Sequence, residues 1–300
     1  MSIAETGSTI GSSRIGLGIA SVVAGLFAMS VMDACAKWLG EGYAVSQIIL
    51  ARNGVGAVLV FLFVLASGKG LGMLRAHRIG LLALRTVCSL AAGFLFFTGL
   101  RYLPLADAFA IAFTAPLFIT ALSVPLLGEH VGMRRWAAVA VGFAGVLVVI
   151  QPGTSSFRLE ALLPLAAALS YALTMLVSRK LTRDMTTSSI VFWSSLGAAL
   201  AALILMPSQW MTPGPADLAL FLFMGLIGTL GMLLITQGYR FVPAAVIAPF
   251  DYSALLWAIL LDWLIWSDLP GTSVWLGSAI LIASGLYILH RETRWREAEG

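Results

Sequence analysis

The chain has 300 residues, 60% of them apolar and only 11% charged, with a net charge of +4. Soluble domains carry about 25% charged residues, so this balance excludes an ordinary soluble enzyme and points to an all-α polytopic membrane protein. The basic residues are spread over short loops rather than gathered on one face, which excludes nucleic acid as the expected partner.

Residues 1–14 read as a small, polar amino-terminal tail without regular structure. About 20 apolar residues rising 1.5 Å each cross the ~30 Å hydrocarbon core of a bilayer. Ten runs of that kind follow, at 15–38, 46–66, 80–100, 105–127, 136–151, 159–179, 188–206, 218–238, 244–266 and 273–290. A cleaved signal peptide is the alternative for the first, but its apolar stretch is long for one and its removal leaves nine spans. The runs are continuous rather than alternating, and lipid offers no partner to unpaired backbone groups, so they are read as helices. Residues 291–300 form a charged tail.

The punctuation of the spans repeats. Gly99-Leu-Arg101-Tyr-Leu-Pro104-Leu-Ala106 returns 139 residues later as Gly238-Tyr-Arg240-Phe-Val-Pro243-Ala-Ala245, and at the same offset Glu129 returns as Asp268 and Trp136 as Trp275. Such a period marks a duplicated unit: residues 15–153 form a first five-helix repeat and 154–290 a second. Five is odd, so the second copy enters the membrane upside down. Ten transmembrane helices arranged as two inverted five-helix repeats place a binding site near the midplane between the copies. With the amino terminus inside, 13 Lys and Arg fall on the inner face (among them Lys69, Arg75, Arg78, Arg134, Arg135 and Arg240) and three, Lys37, Arg101 and Arg158, on the outer. The positive-inside rule then sets both termini in the cytoplasm.

Charge within the spans is the sharpest site signal, because an aspartate at a helix centre costs about 2.5–3.5 kcal/mol unless it faces protein or water. Asp251 and Asp262 share the ninth span, eleven residues apart and so on one helical face. Asp251, Tyr252 and Ser253 follow Pro249, which removes a backbone hydrogen bond, and they are the leading substrate-binding candidates; a structural aspartate is the alternative, above all for Asp262. Asp33 stands four residues before Lys37, the spacing of an ion pair within one helix, and is otherwise a pathway or coupling charge, as are Arg52 and Asp262. Asp107 reads as a carboxylate favoured by the start of its helix, and Arg85 as a side chain reaching up to the headgroups. Phe113 and Thr114 align with Tyr252 and Ser253 at the repeat offset and extend the candidate pocket, with Phe97, Tyr171, Thr174 and Gln237. Gly225, Gly228 and Gly231 mark a close helix contact.

Cys35 and Cys88 lie in apolar runs and read as buried thiols. Without zinc spacing, and with Gly68-Lys-Gly-Leu-Gly72 lacking the GxxxxGK[ST] pattern of a phosphate loop, no cofactor, metal or nucleotide is expected.

Pro116-Leu-Phe, Leu126-Leu-Gly-Glu129 and the stretch from Trp136 to Val149 resemble the drug/metabolite transporter superfamily, specifically its ten-helix bacterial members built from two EamA-type halves. The likeness covers Ile15–Ile150 and Leu159–His290. The second half departs from the pattern: Leu255 stands where Pro116 aligns, Asp268 replaces the glutamate, and Pro249 comes a turn and a half early. The resemblance implies an inner-membrane secondary transporter or facilitator that exports small metabolites, amino acids and aromatic ones first, by alternating access. An uptake or exchange carrier for a nucleoside-like, carboxylate or drug-like metabolite is the alternative. Protons are the expected coupling partner, through Asp251 or Asp33. An intramembrane lipid-modifying enzyme is the rival class, but His77, His130 and His290 stand apart, and no polar ring marks a channel filter.

Overall fold

The computed structural model describes residues 3–68, 70–128, 131–206, 210–242 and 244–299. Lys69, Glu129, His130 and Pro243 lie outside them, as do the side chains of Arg240 and His290. The described residues are all-helical: α1 (Ile3–Gly40), α2 (Val45–Ala66), α3 (Ile79–Leu100), α4 (Leu105–Ala112), α5 (Ala115–Leu127), α6 (Met133–Ile150), α7 (Leu162–Leu181), α8 (Thr187–Leu205), α9 (Pro215–Phe241), α10 (Ala244–Asp251), α11 (Ser253–Trp266) and α12 (Thr272–Glu299). Eight segments are long and apolar enough to cross a membrane, and Thr272–Ile288 is a shorter apolar helix. The amino-terminal residues expected to be irregular instead continue α1 back to Ile3. A helix already nucleated by an apolar span extends at little cost per residue.

Two apolar runs are broken near their middles. Pro116 has no N–H to give the Ala112 carbonyl, and α4 gives way to α5 through tighter bonds, Thr114 N–H to Ile111 O at 3.0 Å and Leu117 N–H to Thr114 O at 2.9 Å. Bonds of this reach are those of a 3₁₀ turn. The run 244–266 breaks at Tyr252, three residues after Pro249, where Leu255 N–H reaches Tyr252 O at 3.1 Å.

Packing joins helices distant in sequence. α1 lies along α9, α2 along α8, α3 along α7, α6 along α12, and α4 on α11. Small residues set the closest approaches: a Cβ on Gly25 would stand 2.7 Å from Gly231 O, and one on Gly277 2.6 Å from Gly145 O. Gly225 and Gly228 likewise give way to Val55 and Met32, so the glycine stripe is a helix contact as the sequence implies.

The bundle has two distinct ends. At one, here called the near end, the α2–α3 connection is clasped by the α7–α8 region: the carbonyls of Met73, Leu74 and Arg75 accept from Thr186 Oγ1 at 2.7 Å, Trp193 Nε1 at 2.7 Å and Ser189 Oγ at 2.8 Å. An Arg78–Asp184 ion pair at 2.6 Å adds to the clasp. At the opposite, far end, Gln47 exchanges two hydrogen bonds with the Met211 backbone, at 2.7 and 3.1 Å. Beside them the Tyr43 hydroxyl donates to Asp217 at 2.6 Å, a bond that raises the phenol above its ordinary range. The largest buried cluster, including Met32, Phe97, Leu105, Met224 and Ala258, lies in the far half and joins α1, α3, α4, α9 and α11.

Candidate functional site

The two helix breaks meet. Phe113, closing α4, and Tyr252, opening α11, bring their rings to 5.1 Å between centroids. Beside them the Tyr239 hydroxyl donates to Asp251 Oδ2 at 2.7 Å. Tyr171 on α7 keeps 48% of its surface. Arg52 lies 5.3 Å over the Phe97 ring, a cation–π distance, and its charge acts on Asp33, which is 7% exposed. Arg85 does not reach up to the headgroups: its Nε donates to Ser178 Oγ at 2.7 Å, and Ser178 donates to Thr174 O at 2.6 Å. An inward hydroxyl satisfies the guanidinium without extending it to the interface.

The candidate residues are thus brought together in part. Phe113 and Tyr252 touch, Asp251 next to Tyr252 pairs with Tyr239, and Arg52 lies over Phe97. Thr114 is fully buried and spends its hydroxyl on Ile111 O. Thr174 is also buried and donates to Ser170 O at 2.9 Å. Ser253 Oγ is buried without a partner among the described residues. Gln237 is exposed on α9 and makes no side-chain hydrogen bond among them. Tyr239, unremarked in the sequence, belongs to the group because its hydroxyl on α9 reaches Asp251 of α10; its place in Gly238-Tyr-Arg240 beside the repeated proline was the available signal. The Tyr252 hydroxyl lies against Gly285 of α12, where a Cβ would overlap it. Gly285→Ala is therefore expected to displace the ring and destabilise the protein by about 1–3 kcal/mol. Gly285→Ala combined with Tyr252→Phe, which removes the hydroxyl, should recover part of the loss in a thermal melt.

Asp262 stands apart from this group. The break at Tyr252 interrupts the helix between Asp251 and Asp262, and the two carboxylates have different partners. Asp262 is 1% exposed; its Oδ1 accepts from Lys37 Nζ at 2.9 Å and its Oδ2 from the Ala106 N–H at 2.7 Å. Lys37 Nζ also lies 4.2 Å over the Trp266 ring. Two local expectations are corrected together. Lys37 pairs with Asp262 rather than with Asp33, and the start of α4 is capped by Asp262 from another helix rather than by Asp107. An aspartate already fixed by a backbone N–H is a better-ordered partner than one a turn away with no second bond.

A cavity of about 950 Å³ opens at the far end, lined among others by Lys37, Asp107, Ile111, Arg158, Trp266 and Val274. None of the substrate-binding candidates lines it. Among the described residues no group of His, Cys, Asp and Glu could hold a metal ion.

An apolar helical bundle with two broken helices meeting at its centre, and with charges gathered around the breaks, is the architecture of a membrane carrier. Residues 16–151 and 158–290 each match the EamA-like transporter family, and the chain belongs to that family. It is a membrane transporter. It is 30% identical to a riboflavin transporter of Rhizobium johnstonii over 97% of this chain and 96% of the relative. It is 27% identical to an S-adenosylmethionine uptake transporter of Rickettsia felis over 92% and 94%, and 27% identical to the pseudopaline exporter CntI of Pseudomonas aeruginosa over 91% and 93%. A solved crystal structure matches with a TM-score of 0.62 at 22% identity, over 94% of this chain and 99% of its own, a likeness of fold.

Proposed function

We propose that the protein is an inner-membrane secondary transporter for a small metabolite that joins a flat ring to a charged or zwitterionic arm. Aromatic amino acids, carried outward, are the simplest such substrates. The observation that carries this reading is the Phe113–Tyr252 ring contact at the crossing of the two broken helices, with the Asp251–Tyr239 pair next to it; Arg52, over the Phe97 ring, supplies the positive charge. Rings take the flat moiety, and groups of both signs take the arm. The names of the relatives widen the class: riboflavin and S-adenosylmethionine also unite a heteroaromatic ring with a polar chain.

Ten spans in two inverted five-helix units suit the packing. Exchanging the units turns the α1–α9 pair into the α7–α3 pair and leaves α2–α8 and α6–α12 each paired with its own counterpart; α4–α11 exchanges with α10–α5, and the bundle packs the first of these two more closely. The near end, rich in Arg and Lys, is the cytoplasmic one by the positive-inside rule. In the far half α4 rests on α11, whereas in the near half α5 packs on α6 and α7, and α10 on α1, α9 and α12. The inner group is accordingly open to the cytoplasm in this state, and transport rocks it toward the far end. Asp251 and Asp33 are the groups through which protons couple.

The test is flux in proteoliposomes with labelled phenylalanine, tryptophan, riboflavin and S-adenosylmethionine, with and without a pH gradient. At least one ring-bearing probe should move, and Tyr252→Ala should lower its kcat/KM about tenfold, the loss of an aromatic contact worth ~1.4 kcal/mol. Trp263→Phe, on an exposed ring, should leave it unchanged. Equal flux through Tyr252→Ala and the parent would remove the ring contact from the site.

A further inference from the structure

The far-end cavity contains a carboxylate that the fold leaves unused. Asp107 Oδ1 is buried and takes no hydrogen bond among the described residues. An ionised oxygen shut away from water and unpartnered is costly. The usual relief, capping its own helix, is closed to it: α4 makes no side-chain cap bond of its own, and its Ala106 N–H is taken by Asp262. The nearest lysine is no partner either, because Lys37 is held by Asp262 and Trp266. The charges acting on Asp107 are those of Asp262, Asp268, Arg158 and Lys37. Of the two cations, Lys37 is already committed to a buried carboxylate, whereas Arg158 is exposed and spends one of its five N–H donors, Nη1 on the Tyr102 carbonyl at 3.3 Å.

The cavity is also separate from the inner group. Ile111 and Val274 line it, and Ala110, Leu255 and Val274 form a buried apolar layer against which Phe113 packs. About 950 Å³ suffices for a molecule the size of an amino acid or a nucleoside.

We propose that this cavity is a second, outer binding site that receives the ammonium group of a zwitterionic metabolite on Asp107 and its carboxylate on Arg158. The proposal rests on the transport reading above, since it gives the transported molecule a stopping place on the far side of the apolar layer. A molecule lacking the ammonium leaves Asp107 unsatisfied and binds weakly; one lacking the carboxylate loses only the exposed contact at the mouth.

A thiol at the rim reads occupancy directly. Ser156 lines the cavity, is exposed, and uses only its backbone N–H in hydrogen bonding. Ser156→Cys is placed in a Cys35→Ala, Cys88→Ala background, the protein is reconstituted in lipid nanodiscs, and labelling by a charged maleimide is timed. The probes are phenylalanine, S-adenosylmethionine, phenethylamine and 3-phenylpropionate. Phenylalanine or S-adenosylmethionine should slow labelling, phenethylamine should do so at higher concentration, and 3-phenylpropionate should not. Asp107→Asn, which keeps the shape of the side chain, should raise the concentration giving half-protection about tenfold, the worth of one charge-assisted hydrogen bond. Unchanged protection in Asp107→Asn overturns the assignment. So does the absence of protection by either zwitterion when the same preparation moves one of them in proteoliposomes, an outcome that leaves the transport reading standing. Protection without flux of any probe keeps the outer site and removes the substrate class; neither protection nor flux removes both.

Discussion

Asp262→Ala is expected to lower the unfolding free energy by about 3–5 kcal/mol, the range for breaking a buried ion pair by deleting one partner. Lys37, 12% exposed, would lose its ion-pair partner and keep the Trp266 ring contact, and a cation–π contact recovers roughly 0.5–2 kcal/mol. The Ala106 N–H would lose its acceptor as well. Lys37→Met is milder, because Asp262 keeps the backbone bond. The double variant Lys37→Met, Asp262→Leu should recover much of the loss, since apolar replacement of both members of a buried pair is often near neutral. Thermal unfolding in detergent, followed by intrinsic fluorescence, ranks the three. Should Asp262→Ala melt with the parent, the pair would carry no structural weight. The same pair ties α1 to α11 while Asp262 holds α4, so the double variant, stable but untied, should also shift the molecule toward opening at its far end. Labelling of Ser156→Cys in that background should quicken.

Gly231→Leu is expected to disrupt the packing of α1 on α9. A Cβ at Gly231 stands 2.8 Å from Gly25 O and 3.1 Å from Met29 N, both backbone atoms. Backbone cannot rotate away as a side-chain tip can, so the helices must separate along their whole contact. Overpacking of a well-filled interior costs about 1–3 kcal/mol even where side chains can adjust, and here the figure should lie at or above the top of that range. Gly56→Ala is the control, as its nearest atom is 3.9 Å away. Size-exclusion profiles and melts in detergent should show Gly231→Leu aggregated or melting early and Gly56→Ala like the parent. A monodisperse, parent-like Gly231→Leu would mean that the two helices approach less closely than this.

The helices were legible because an apolar run of membrane length admits little else; the run 46–66 became α2 at Val45–Ala66 with one residue added. The repeat set an aromatic residue at matching positions in both halves, Phe113 and Tyr252; that their rings touch became visible only in the fold. What escaped was everything decided between helices far apart in sequence. Lys37 had an acceptable partner at Asp33, four residues away, and no local rule could favour Asp262 across 225 positions. Asp107 sat where a capping carboxylate belongs, and only the fold reveals that another chain segment does that work. Arg85 resembled a headgroup-seeking side chain because its depth was legible and the hydroxyl of Ser178 opposite it was not. Tyr239 carried only the weak signal of its place in the repeat: its hydrogen bond to Asp251 joins two helices, and periodicity carries no information about that pairing.

The pairing of α1 with α9, α2 with α8 and α3 with α7 bears on how the protein is made. Between lipid-embedded helices there is no hydrophobic force to hide a mismatched face, only close contact and hydrogen bonding. When the ribosome has released the first family unit, residues 16–151, the glycine faces of α1 have nothing to rest on, and α3 still waits for α7. The newly inserted half must persist in the bilayer as a loose set of helices until the second half arrives. Assembly is therefore a late event in synthesis, and two halves produced from separate genes should each insert yet remain unassembled, and prone to disposal by membrane proteases, until both are present.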